Sequence, residues 1–182
     1  MWYVKMSYTR FQIHVCGMLC DFTCLLKSKI LSQIMSTNDR DQIIITSDPL
    51  NVQRALDHIT IPSCGGISIF CGTTRDTFQD KTVLYLEYEA YEAMAIKEIV
   101  RICDDLAASF DVRKIYVAHR TGRVDVCETS IIVAASSPHR SDAITFVSKA
   151  VDKIKERAPV WKKEWYEDGS VWKENCKCTG PV

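Results

Sequence analysis

This chain has no net charge: 23 lysines and arginines balance 23 acids over 182 residues. General binders of nucleic acid or of anionic membrane surfaces carry a global basic excess, so neither class fits. Any anion site must therefore be a local concentration of cations. No apolar run is long enough to span a bilayer. Nine cysteines are present, yet the paired C-x-x-C spacing of structural zinc sites is missing. There is no Walker-type loop, no G-x-G-x-x-G, no H-E-x-x-H and no G-x-S-x-G. Electrostatic stabilisation and lysine chemistry are left as the tools, rather than a metal or a triad. Internal repeats and low-complexity tracts are also lacking.

What is there, 47% hydrophobic and 25% charged, suits one globular domain with its own core. Cys64, Cys71, Cys103 and Cys127 sit among apolar neighbours and read as small buried hydrophobes. Cys16, Cys20 and Cys24 lie four apart, and Cys176 and Cys178 form a lone C-x-C. The set fits reduced thiols in a cytosolic protein. Residues 1–37 stand apart, with Lys5, Arg10, Lys27 and Lys29 against Asp21 around an apolar middle. Asp21 interrupts that run and no A-x-A-like site follows, which argues against a secretory signal. The scarcity of acids leaves a mitochondrial presequence open, though the segment is poor in arginine. The expectation is a dispensable, disordered extension, followed by a folded domain over 38–182.

From residue 41 strands and helices alternate. QIIITS is a β-branched strand. The helix that follows can be capped by Ser47 or Asp48, with Pro49 at its first position. GGISIFCGTT reads as a strand. KTVLYLEYEAY alternates, with Val83, Tyr85, Glu87 and Glu89 on one face and Leu84, Leu86, Tyr88 and Ala90 on the other. Residues 91–110 have helical spacing. RKIYVAHRTG and ETSIIVAASS are strands joined by a segment too short for a crossover helix, which predicts antiparallel pairing. A helix over 138–157 carries Ala143, Ile144, Val147, Ala150, Val151 and Ile154 as its stripe. The tail is a hairpin turning at Asp168 and Gly169. The predicted class is α+β, with a mixed or antiparallel sheet, two long helices and a C-terminal hairpin.

Cations concentrate around the last helix. Residues 137–163 hold Arg140, Lys149, Lys153, Lys155, Arg157, Lys162 and Lys163 against only Asp142, Asp152 and Glu156. His139 and Arg140 fall at its N-terminus, where cations oppose the helix dipole unless an anion lies between them. Lys153, Lys155 and Arg157 complement the dipole at the other end, but Lys162 and Lys163 stand beyond Pro159, which the helix cannot pass. Arg75 lies in a loop after a strand, a frequent place for ligand contacts. His119, after an apolar strand, reads as structural.

GGISIFCGTTRD, LYLEYEAYEAMA, VAHRTGRVDVCETSIIVAASSPHRSDAI and KIKERAPVWKKEWYEDGSVW occur in that order. Together they resemble the catalytic (large) subunit family of molybdopterin synthase, from about residue 41 to 178. The most specific signature is Ser137, His139 and Arg140 followed by Lys155, the Arg157-Ala158-Pro159 triplet and Trp161 to Glu164. The resemblance implies a hammerhead-type α+β fold, a central homodimer within a heterotetramer, and a small ubiquitin-like carrier ending in a Gly-Gly thiocarboxylate. It implies a cytosolic sulfurtransferase of molybdenum cofactor biosynthesis, without cofactor or metal. That enzyme moves two sulfurs onto cyclic pyranopterin monophosphate to form the molybdopterin dithiolene. By motif, Lys155 and Lys162 would be catalytic, with Arg75, His139, Arg140, Lys155, Lys162, Lys163 and Glu164 binding substrate. The family's basic residue that reaches a neighbouring subunit would fall to Lys177 or Lys173, with Cys176 near the aligned position. A non-catalytic scaffold for the carrier is the alternative. An RNA-binding module is disfavoured because YLEYEAYE interleaves its aromatics with acids.

Overall fold

Three strands rich in β-branched and small apolar residues form the middle of one sheet: β2 (Asp41–Thr46), β6 (Lys114–Arg120) and β8 (Thr129–Ser137). The computed structural model describes residues 34–35 and 39–173. The expected extension over 1–37 lies outside them, apart from the backbone of β1 (Ile34–Met35), and so do Cys176, Lys177 and Cys178. The sheet order is β1-β2-β6-β8-β3, with β3 at Gly66–Thr73. Only β2 and β6 run parallel; the other pairs are antiparallel, including β6 with β8, as the short connection predicts.

The central strands are buried along almost their whole length because both faces are covered. Ile43, Ile45, Val117 and Val133 share a core with α2 (Glu92–Ala107) and α3 (Arg140–Arg157). Ile44, Tyr116, Ala118 and Ile132 meet α1 (Val52–Ile59) on the opposite face.

A second sheet has the order β10-β9-β5-β4, from β4 (Thr77–Phe78), β5 (Lys81–Ala90), β9 (Val160–Tyr166) and β10 (Gly169–Lys173). The β6–β8 connection is itself a strand, β7 (Gly122–Asp125), which pairs with β5 and ties the second sheet to the first. The architecture is α+β as predicted, but with two sheets.

Local differences from the sequence reading have local causes. α1 starts at Val52, not Pro49, because Asn51 caps it: Gln53 N donates to Asn51 Oδ1 at 2.8 Å. On β5 the pairing register shifts between Val83 and Tyr85. This bulge puts Val83 in phase with Leu86, so both are buried while Leu84 is exposed. α3 starts at Arg140, with Ser137 Oγ accepting from Ala143 N at 3.1 Å. Ala143, Val147, Ala150, Val151 and Ile154 are buried as predicted, but Ile144 is exposed and Phe146 is buried on the inner face instead. In the tail hairpin, Tyr166 pairs with Gly169, so Glu167 and Asp168 make the turn and Gly169 (φ +134°) opens β10. Of the four cysteines expected to be buried, Cys103 is; Cys64 is half-buried, and Cys71 and Cys127 are exposed.

β3 lies against the start of α3 at Gly66, where an added Cβ would sit 2.8 Å from Arg140 Cα and 2.9 Å from its N. Backbone cannot yield as a flexible side chain can. Gly66→Ala should lower stability by about 1–3 kcal/mol in urea denaturation, with an unchanged m-value.

Candidate functional site

The site is built by the end of α3 and its return. Pro159 disfavours helical geometry at Ala158, which is extended (φ −68°, ψ 132°), and α3 stops at Arg157. The chain turns into β9, which runs antiparallel beside β5. Lys155, on the last helical turn, and Lys162, on β9, therefore line one cavity of about 500 Å³. Phe70, Cys71 and Gly72 of β3 form one wall, and Leu86 and Tyr88 of β5 another. Arg75 contributes from the β3–β4 loop, Phe78 from β4, and His119 and Ser130 from the first sheet.

Four of the residues singled out from the sequence share this cavity: Arg75, Lys155, Lys162 and Glu164. Glu164 is only 5% exposed, and a buried carboxylate needs compensation. It pairs with Lys162 Nζ at 3.1 Å and accepts a hydrogen bond from the Tyr166 hydroxyl. Lys155 is half-buried, with its ammonium 5.5 Å from the centroid of Phe70, and has no ion-pair partner among the described residues. Arg75 stands over Phe78 at 5.4 Å. Three cations against one carboxylate leave the cavity positive and partly shielded from water, where charge interactions are stronger than in bulk solvent.

The other expected residues lie elsewhere in the chain. His139 and Arg140 are exposed at the start of α3 and do not line the cavity. Fifteen residues of helix separate Arg140 from Lys155, about 22 Å along the axis. Lys163 alternates with Lys162 to the opposite face of β9, where its ammonium lies over Trp165 at 4.4 Å and Trp172 at 5.5 Å. Lys173 is the backbone partner of Lys162 in the β9–β10 register. Lys177 and Cys176 lie outside the described residues.

Sequence reasoning passed over Tyr88 and read His119 as structural. Tyr88 is the register partner of Lys162 and packs edge-on against His119, with ring centroids 5.1 Å apart. Cross-strand pairing, which no one-dimensional pattern displays, was the missing signal. Burial lowers the pKa of His119 to about 4, against a weaker opposing effect of its bond to the Arg120 carbonyl.

Fold and cavity together define an α+β protein with a positively charged, lysine-lined pocket between two sheets. The family model described as MoaE protein matches residues 45–157, and the chain belongs to that family. It is 46% identical over 144 residues to the molybdopterin synthase catalytic subunit of Drosophila melanogaster, covering 78% of this chain and 39% of that protein. Against molybdopterin synthase catalytic subunit 1 of Aedes aegypti, identity is 50% over 139 residues, covering 74% of this chain and 90% of the other. The chain thus spans about two fifths of the length of the fly relatives and most of the mosquito one. The crystal structure of molybdopterin synthase from Staphylococcus aureus superposes with a TM-score of 0.68 at 31% identity, covering 76% of this chain and 98% of that one.

The buried histidine gives an acid signature. Its folded pKa, about 4, lies below the unfolded value near 6.5. The stability it confers is complete above about pH 6.5 and is lost as pH falls toward 4. Tyr88, Lys155, Lys162 and Glu164 line the same cavity in wild type and in His119→Phe alike. Between pH 7 and 4, wild type should therefore lose about 3 kcal/mol relative to that variant in denaturant titrations.

Proposed function

We propose that this chain is the catalytic subunit of a molybdopterin synthase. It takes sulfur from the thiocarboxylated Gly-Gly terminus of a small ubiquitin-like carrier and places two sulfurs on cyclic pyranopterin monophosphate. The convergence of Lys155 and Lys162 on one positive cavity carries this reading. A volume of about 500 Å³ suits a small heterocycle with a phosphate, and both the phosphate and the thiocarboxylate are anions. Lys155, without an ion-pair partner among the described residues, polarises the thiocarboxylate or protonates a leaving oxygen. Lys162, oriented by Glu164, and Arg75 hold the anionic substrate.

Because His139 and Arg140 stand about 22 Å from Lys155, they can serve the same substrate only in the cavity of a second copy. A homodimer inside a heterotetramer with two carriers meets that requirement. Lys163 and the tail residues Lys173, Cys176 and Lys177 are assigned to binding between subunits rather than to this chain's own cavity. The proposed location is the cytosol: the described Cys64, Cys71, Cys103 and Cys127 are unpaired thiols, and no described helix is long and apolar enough to cross a membrane.

Reconstitution with thiocarboxylated carrier and cyclic pyranopterin monophosphate should yield the dithiolene. Lys155→Ala should lower turnover by about 100–1,000-fold while still binding carrier; unchanged turnover would sink the assignment. Mixing Lys155→Ala chains with Arg140→Ala chains tests the shared cavity. Mixed dimers should recover activity, because one of their two cavities regains both residues. Mixtures no more active than either variant alone would place each cavity within one chain.

A further inference from the structure

Arg75, Lys155 and Lys162 can only donate hydrogen bonds. Glu164, the carboxylate of the cavity, is already engaged by Lys162 and Tyr166. Ser130 Oγ donates to the Gly72 carbonyl at 3.0 Å. Apart from the hydroxyls of Thr73, Thr77 and Tyr88, which both donate and accept, the side chains of the cavity are rich in donors and poor in uncommitted acceptors. A ligand held by its anionic group alone would be free to rotate, and a heterocycle bearing ring N–H groups would have those donors buried without partners. Leaving such groups unpaired is costly.

His119 supplies what is missing. It is 7% exposed and lines the cavity. Its Nδ1 lies 2.9 Å from the Arg120 carbonyl oxygen, and because a carbonyl oxygen only accepts, Nδ1 carries the hydrogen and Nε2 the lone pair. Nε2 has no partner among the described residues, yet it is not one of the buried polar atoms sealed without one; it opens on the cavity. Tyr88, edge-on at 5.1 Å and 71°, holds the ring plane.

We infer that His119 Nε2 is the acceptor that orients the bound heterocycle, taking a hydrogen bond from a ring N–H while the cations hold the anionic end. Burial keeps the imidazole neutral at physiological pH, so the lone pair is available. This inference rests on the pterin-substrate reading above. It makes His119 a specificity residue: ligands with an acceptor in place of that N–H are rejected.

Calorimetry with cyclic pyranopterin monophosphate and no carrier separates the two ideas. Wild type should bind; no binding overturns both the substrate reading and this one. His119→Phe, which keeps a ring without the acceptor, should weaken binding about tenfold. His119→Gln, which restores an acceptor, should recover most of that loss. Inorganic phosphate should bind all three proteins equally. If wild type binds the pterin and His119→Phe binds it as tightly, the histidine is a packing residue only and the inference falls, while the substrate reading stands. If His119→Phe does not fold, wild type labelled with 15N-histidine decides. The Nε2 resonance should move upfield as pterin is added and stay put with phosphate. No movement with pterin overturns the inference.

Discussion

Pro159 is the constraint on which the site depends. It removes a backbone donor and forces Ala158 out of helical geometry, so the last helix of the first layer must end there. Ala158 and Val160, on either side, are both buried, which locks the exit direction. The chain then has one way to continue, as a strand beside β5 in the second sheet. A helix carrying Lys155 and a strand carrying Lys162 are thereby laid against the same space. β7, inserted between two strands of the first sheet, adds a second tie between the layers, and the cavity is the gap they enclose.

Charge in this protein is a matter of placement. A chain with no net charge makes a positive cavity by tying some cations to acids and leaving others unpaired. Arg157, close to Lys155 in sequence, is held by Glu98 at 2.6 Å. Lys162 is partly neutralised by Glu164, which cannot be buried without it. Among the described residues Lys155 has an aromatic neighbour and no carboxylate partner, as expected of the group proposed to meet an incoming anion.

Much of the fold was legible. The strands β2, β6 and β8 are runs of β-branched and small residues, and α2 and α3 show helical spacing, because period and burial are coupled in these elements. The β5 face was misread because one bulge residue, Leu84, resets a two-residue period. Ile144 was misread because it and Phe146 lie near the edge of the same stripe, and neighbouring elements choose between them. At the site, the clustering of cations after residue 137 was legible, and so was the turn at Pro159. The separation of His139 and Arg140 from Lys155 followed from helix length alone, but it acquired meaning only once the cavity was located.

By itself the sequence determined the α+β class, the family resemblance, the point where the last helix ends and the excess of cations around it. These are properties of local pattern and covalent geometry, which one dimension records. Tertiary structure decided which cations face one another, which are neutralised, and that a histidine read as structural opens on the cavity. Those outcomes depend on strand register and on distances between residues far apart in the chain, such as Tyr88 beside His119 and Lys162. Only packing sets these distances.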